Sequence, residues 1–265
     1  MMKYEISWDK PEAPSRLPDN EIHIWKSSLD VQEKKMAELS KILSPDEIER
    51  AGRFHFDRDK RRFIAGRGML REILARYIDK KSEDIKFTYT SRGKPQIDDG
   101  AEAGRISFSL SHSHELVLYA FTRDHPIGVD VERARSIEDV EGLARRFFSE
   151  REYRLVNASS GAKKQEMFFT IWTIKEAYLK ATGEGLSGLE DIEVSLSPDG
   201  VPLELISAGR PGLMKQWEID SFSPADDYFA AVVSANRTNV TKRFFDAERL
   251  LLPFVRGGDV NPPPL

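Results

Sequence analysis

Apolar and polar residues alternate along Glu21–Trp25 as on a half-buried strand, and the next stretch, VQEKKMAELSKIL over 31–43, changes to the spacing of an amphipathic helix. Ser44-Pro45-Asp46-Glu47 then marks a helix start. It is a capping box with proline at the first helical position, so the Ser44 hydroxyl and the Glu47 carboxylate can satisfy amides that the helix leaves unpaired. A longer helix is predicted from about Asp57 to Ile78, burying Phe63, Ile64, Met69, Leu70, Ile73, Leu74 and Tyr77. Ile85–Thr90, Arg105–Ser111 and Leu116–Thr122 read as strands, with Ser91–Pro95 as a turn.

The order then recurs. Ile127–Glu132 reads as a strand, Ser149–Glu152 as a second capping box, and Gln165–Thr182 as a second long helix ending at Gly183. Strands follow at Ile192–Leu196, Trp217–Phe222 and Tyr228–Ser234. A capped short helix, a long helix and then strands, given twice, predict an α+β pseudo-dimer of two similar halves split near Asp124–Pro126. The expected organisation is an N-terminal half over 1–125, a C-terminal half over 126–236, and a terminal helix with a Gly/Pro-rich tail over 237–265. Residues 1–20 are polar with three prolines and read as an irregular arm.

A length of 265 residues allows one or two compact units, and 40% hydrophobic against 32% charged residues places the chain with folded globular proteins. Forty Lys+Arg against 44 Asp+Glu give a net charge of -4, which argues against a surface built to coat nucleic acid or anionic membrane. The absence of cysteine excludes disulfides, thiolate-ligated zinc, iron–sulfur clusters and a cysteine nucleophile. No stretch has a signal-peptide core or approaches the ~20 apolar residues of a membrane span, so the expected compartment is the cytoplasm.

Four groups of residues bear on chemistry. Asp130 and Glu132 lie two apart on one strand, so both carboxylates leave the same face, roughly 7 Å apart at the backbone. Such a hard oxygen pair suits Mg²⁺, although two acids at a solvated strand end would show the same spacing. Trp172, Glu176 and Lys180 share one helical stripe with Lys175 beside it; this fits a metal ligand with phosphate partners, or an exposed ion pair over a core aromatic. Ser111 and His112 end a strand in hydroxyl- and imidazole-rich sequence, suited to a phosphate or to a polar turn. Arg58, Lys60, Arg61, Arg62 and Arg67 open the first long helix, where the dipole favours an anion; each could equally be a solvated charge. No G-x-S-x-G elbow supports a Ser–His hydrolase.

In order and wording these blocks resemble the surfactin-type phosphopantetheinyl transferases: Gly93-Lys94-Pro95, Phe108-Ser-Leu-Ser-His-Ser113, Ile127-Gly-Val-Asp-Val-Glu132, Phe147-Phe-Ser-Glu150, Trp172-Thr-Ile-Lys-Glu-Ala-Tyr-Leu-Lys180 and Gly183-Glu-Gly-Leu186. The resemblance spans about Ser44 to Ser234. It implies a pseudo-dimer with coenzyme A in the cleft between its halves, and transfer of the phosphopantetheine arm to a serine of an acyl or peptidyl carrier protein with release of 3′,5′-ADP. It further implies that Asp130, Glu132 and Glu176 hold Mg²⁺, that Lys180 contacts phosphate near the proton transfer, and that Lys175 is a supporting cation. The serine proton would go to Glu176 or to a hydroxide on the metal.

The same resemblance sets Gly93, Lys94 and Pro95 around the adenine, and Ser111 and His112 on phosphate, His112 at the 3′-phosphate. Some relatives carry lysines after the first capping box and a threonine in the long helix for that phosphate, where this chain has Glu47, Arg50 and Phe63. Arg62 is therefore the expected substitute, with Arg53 and Arg61 behind it. Carrier proteins of this kind are acidic, so Arg145, Arg146, Phe147 and Phe148 are candidates for their docking surface, with burial of the two phenylalanines in the core the equal alternative. A monomer with no nucleic-acid or membrane partner is implied. Competing readings are a Mg²⁺-dependent nucleotide pyrophosphatase using the same carboxylates on water, and a non-catalytic module binding coenzyme A or carrier proteins.

Overall fold

The computed structural model describes residues 6–8, 16–98, 105–135, 137, 139–185, 189, 192–197, 200–207 and 216–248. Strand β1 (Glu21–Ser28) leads to helices α1 (Glu33–Lys41), α2 (Pro45–Gly52) and α3 (Asp57–Ile78), the hairpin of β2 (Phe87–Tyr89) and β3 (Pro95–Ile97), and the hairpin of β4 (Ile106–Ser113) and β5 (Leu116–Arg123). The same eight-element order then repeats: β6 (Ile127–Arg133), α4 (Val140–Phe147), α5 (Glu150–Ala158), α6 (Gly161–Thr182), β7 (Ile192–Leu196) with β8 (Pro202–Ser207), and β9 (Trp217–Phe222) with β10 (Tyr228–Ala235). A last strand, β11 (Thr241–Asp246), follows.

The sheets repeat as well. One has the order β11-β1-β5-β4 and the other β6-β10-β9, so β1-β5-β4 matches β6-β10-β9, antiparallel throughout. The two sheets pack face to face through Ile22, Ile24, Leu118 and Ala120 on one side and Val129, Val131, Ala230 and Val232 on the other. The first sheet's outer face meets α3 through Trp25, Tyr119 and Phe121 against Met69, Leu70, Ile73 and Tyr77. The second is covered by α6, with Ile174, Ala177 and Tyr178 among the residues packed with Ala231 and Val233. The result is four layers, helix, sheet, sheet and helix, and it accords with the α+β class expected.

Each half is locked by the same buried ion pair. In both capping boxes the glutamate at the third helical position accepts the amide of its own cap residue, Ser44 or Ser149. Glu47 also takes Arg67 and Arg71 at 2.8 and 2.7 Å, and Glu152 takes Lys175 at 2.8 Å, all with almost no exposed side chain. Arg71 and Lys175 are each the fifteenth residue of a 22-residue helix, counting from Asp57 and from Gly161. The capping sequence thus does more than start a short helix. It fixes that helix to the long one.

Helix α6 approaches β6 unusually closely. A Cβ on Gly128 would stand 1.8 Å from the carbonyl oxygen of Ala177 and 2.6 Å from the amide nitrogen of Ala181. Only glycine lets that backbone approach occur, and the approach brings Glu176 and Lys180 beside Asp130.

The structure departs from these expectations in places. The segment after Asn236 is a strand, not a helix: β11 pairs in parallel with β1 from Glu21↔Thr241 to Lys26↔Asp246. Its adjacent Phe244 and Phe245 point to opposite faces, one between the sheets and one against Trp25, as strand alternation requires. Lys242 ties β11 to β9 through Glu218 and Asp220, each at 2.6 Å. Strand β3, helix α4 and strand β8 were not foreseen. The tail beyond 248 and Leu186 lie outside the described residues. Among the described residues no helix is long and apolar enough to cross a membrane.

Candidate active site

Ser111, Asp130, Glu132, Glu176 and Lys180 meet where β4 passes β6 and the C-terminal half of α6. Asp130 projects from β6 away from the Val129 and Val131 face and is buried. Its Oδ1 accepts Lys180 Nζ at 2.6 Å and the Ser111 hydroxyl at 2.8 Å, and Lys180 also donates to Ser111 at 2.8 Å. A strand carboxylate, a helix ammonium and a hydroxyl from the other half therefore form one triangle.

Strands β4 and β6 belong to different sheets, and serine hydroxyls join them. Ser109 accepts the amide of Val129 at 3.1 Å, Ser111 donates to Asp130, and Ser113 donates to Glu132 Oε2 at 2.9 Å while accepting the amide of Arg133 at 3.1 Å. Their i, i+2, i+4 spacing puts all three on one face of β4. That alternation is visible in the sequence, and only Ser111 had been singled out. His112 points the opposite way and is exposed.

Burial, followed by the charge of Asp130, holds the Glu176 carboxyl above the usual range, with Lys180 opposing. Burial also raises Glu132, against the hydrogen bond from Ser113. Although its side chain opens to solvent, enough protein surrounds the His112 ring that partial desolvation comes first in holding it below the ordinary imidazole value, followed by the charges of Lys180 and Arg62. Asp130 Oδ2 and Glu176 Oε1 are buried with no hydrogen-bond partner. Such atoms carry an uncompensated desolvation cost, and a hard cation between carboxylates would remove it. Among the described residues no three ligand groups already stand as a metal cage. The donor set nevertheless fits Mg²⁺, being all oxygen and anionic.

Beside the triangle lies a cavity of about 330 Å³ lined by residues of the 90–95 turn, β4, the end of α6 and Gly183–Gly185. Gly93, with φ at +79°, allows the turn to close through its amide on Thr90 O. Gly93, Lys94 and Pro95, the residues that the resemblance sets around the adenine, all line this cavity. Lys94 itself is committed elsewhere: its Nζ donates to the carbonyls of Lys180 and Ile127, so it closes the end of α6 onto the turn. Burial lowers its pKa, with Lys180 adding to the effect. Arg92, not foreseen, also lines the cavity and donates to Gly183 O at 3.1 Å.

Lys175 is not at the site. It is fully buried, paired with Glu152, and reaches the Phe147 carbonyl at 3.3 Å. One position before Glu176, a residue falls on the neighbouring face of the helix, which here is the core. On α4, Arg145 and Arg146 are exposed and Phe147 packs edge-on to Trp172; Phe148, just past the helix, belongs to the core.

A family pattern described as the 4'-phosphopantetheinyl transferase superfamily matches residues 126–233, and one described as 4'-phosphopantetheinyl transferase, N-terminal, matches residues 25–123. The chain is 42% identical over 226 residues to the 4'-phosphopantetheinyl transferase HetI of Nostoc sp., covering 85% of this chain and 92% of the relative. It is 34% identical over 181 residues to the 4'-phosphopantetheinyl transferase Sfp of Bacillus subtilis, covering 68% and 78%. A solved holo-(acyl-carrier-protein) synthase from Bacillus anthracis, in complex with CoA (3',5'-ADP), aligns over 42% of this chain and 94% of its own at 25% identity with a TM-score of 0.34.

Proposed function

Since the chain belongs to the 4'-phosphopantetheinyl transferase superfamily, of the surfactin type, we infer that it moves the phosphopantetheine arm of coenzyme A onto a serine of an acyl or peptidyl carrier protein. The serine Oγ bonds to the phosphorus bearing the pantetheine arm, the bond from that phosphorus to the nucleotide phosphate breaks, and 3′,5′-ADP leaves. The serine proton passes to a base. The observation that carries this reading is the Asp130–Lys180–Ser111 triangle with two unpartnered carboxylate oxygens, beside a cavity lined by Gly93, Lys94 and Pro95.

Positioning and charge neutralisation dominate phosphoryl transfer. Asp130, Glu132 and Glu176 are the residues that would hold Mg²⁺. When bound, the ion neutralises the pyrophosphate and stabilises the leaving group. Lys180, whose side chain is part-exposed on the cavity rim, offers its ammonium to phosphate oxygens as their charge rises. Ser111 holds that ammonium against Asp130 and remains within reach of a phosphate. His112, with Arg62 near it, faces the solvent side of β4 and suits the 3′-phosphate. Where Asp130 and Glu132 hold the ion without it, Glu176 is the carboxylate whose unpartnered Oε1 would be left to take the serine proton.

Arg145 and Arg146 present exposed positive charge to an acidic carrier, with Phe147 half-buried beside them. A monomer suffices, because one chain supplies both sides of the cleft. The test is intact-protein mass spectrometry of apo carrier proteins incubated with this protein, coenzyme A and Mg²⁺. A gain of one phosphopantetheine arm per carrier is the expected result. Release of 3′,5′-ADP without any carrier would indicate the pyrophosphatase instead, and coenzyme A binding with no product across several carriers would indicate a non-catalytic module.

A further inference from the structure

Among the three serines that join β4 to β6, Ser113 is the one whose hydroxyl ends on Glu132. Its geometry leaves the hydroxyl proton little choice. The oxygen accepts the Arg133 amide at 3.1 Å, which orients the lone pairs, and Glu132 Oε2 at 2.9 Å is the close acceptor for the single proton; His114 Nδ1, at 3.5 Å, is the distant one. The serine backbone is itself anchored, since Tyr228 donates from its hydroxyl to the Ser113 carbonyl at 3.3 Å. Tyr228 also stacks under Arg133, which pairs with Glu115 at 3.0 Å. Ser113 is buried within this frame.

Glu132 needs such a partner more than Asp130 does. Asp130 is held by an ammonium and a hydroxyl at once, whereas among the described residues the Ser113 hydroxyl is the hydrogen-bond donor found on the Glu132 carboxylate. A glutamate also has one more rotatable bond than an aspartate, so more freedom must be removed before it can serve as a ligand. Ligand carboxylates are commonly oriented by a hydrogen bond of this kind, and its loss weakens metal affinity by about 10- to 100-fold.

We propose that Ser113 is a positioning residue for the divalent cation: by holding Glu132 from the opposite half of the molecule, it sets the affinity of the ion and makes ion binding depend on the seam between the halves. This rests on the assignment of Glu132 as a ligand. Ser113 touches neither substrate nor reacting atoms; it acts through Glu132.

The measurement is Mn²⁺ affinity by electron paramagnetic resonance on the full chain in the presence of 3′,5′-ADP, for wild type, Ser113→Ala, Ser113→Thr and Glu132→Gln, each checked for folding by thermal melting. Ser113→Ala should weaken Mn²⁺ about tenfold or more. Ser113→Thr, which keeps the hydroxyl, should bind near the wild-type value, and the coenzyme A KM of Ser113→Ala at saturating Mg²⁺ should stay within twofold. Wild-type Mn²⁺ affinity in Ser113→Ala, with only its melting temperature lowered, would reduce the serine to a strand fastener and overturn the proposal. Equal weakening in Ala and Thr variants would also overturn it, because the hydroxyl would then not be the cause. Should Glu132→Gln bind Mn²⁺ as wild type does, or wild type not bind at all, the ligand assignment itself fails and the proposal with it.

Discussion

Lys180 Nζ lies 2.6 Å from Asp130 Oδ1, an ammonium from α6 resting on a carboxylate from β6. The pairing leaves Asp130 Oδ2 buried and unpartnered, so the aspartate is only half satisfied by the protein. Asp130→Ala should therefore lower transfer at saturating Mg²⁺ by at least about 100-fold, the scale expected when one fixed electrostatic partner of a transition state is removed. The fold should survive. Lys180 keeps Ser111 as a partner and is part-exposed, so water can solvate it. Intact-mass turnover beside a thermal melt checks both halves of this expectation; near-normal turnover in the variant would remove Asp130 from the metal set.

His112 and Arg62 can be separated from the pyrophosphate site by choice of substrate. A hydrogen bond to a charged group is worth ~1.5–3 kcal/mol, so His112→Ala should raise the coenzyme A KM by roughly tenfold or more. With the analogue lacking the 3′-phosphate, the same variant should show little further change. Equal effects on both substrates would place His112 away from that phosphate.

The buried Glu152–Lys175 pair predicts a different phenotype. Lys175→Met leaves Glu152 uncompensated in the core, a change that costs ~3–5 kcal/mol in comparable buried pairs. Glu152 would still accept the amides of Ser149 and Val194. Denaturant unfolding should show the loss while the coenzyme A KM of the folded fraction is unchanged. A KM increase without loss of stability would return Lys175 to the binding site.

Much of this was legible in the sequence, for identifiable reasons. Both capping boxes declared themselves because Ser-x-x-Glu encodes a local hydrogen-bond exchange, and the long helices did because apolar spacing is local too. Asp130, Glu132, Glu176 and Lys180 were found through spacing and family wording. The placement of Lys175 was not, because the partner that claims it, Glu152, is 23 positions away and was legible only as a capping residue. The commitment of Lys94 to α6 carbonyls and the return of β11 to β1 are likewise long-range contacts. Helix α4 escaped notice as a short element, and Phe148, for which surface and core were both open, is core.

His23 makes stability depend on pH. It is fully buried between Tyr77 at 2.8 Å and Glu21 at 2.6 Å, with Arg243 of β11 nearby, and burial lowers its pKa despite the pull of Glu21. The unfolded chain, near pH 6.5, takes a proton more readily than the folded one. The stabilisation is therefore fully present above about pH 6.5 and is lost as the pH falls through the lowered folded value, by at most about 1.4 kcal/mol per pH unit. The raised carboxyls of Glu72, Glu132 and Glu176 act in the opposite sense in acid, so the difference from His23→Gln is the quantity to measure. The unfolding free energy of wild type should fall more steeply than that of the variant between pH 7 and pH 5.5. Parallel slopes would mean that His23 titrates normally.

Gly128 gives the sharpest test of how the site is held together. Any side chain there meets the backbone of α6 at Ala177 and Ala181, which cannot rotate aside as a side chain could. Gly128→Ala must push the helix outward or bend β6, and overpacking of this kind costs ~1–3 kcal/mol. The larger effect should be on turnover. Glu176 and Lys180 ride on the helix that moves, Asp130 on the strand that does not, and misplacement by about 1 Å can cost on the order of 100-fold in rate. Gly128→Ala should thus keep a cooperative unfolding transition, lose most of its kcat, and bind Mn²⁺ more weakly as the carboxylates are drawn apart. A variant destabilised by the expected amount yet fully active would show that the spacing of α6 and β6 is set for packing alone.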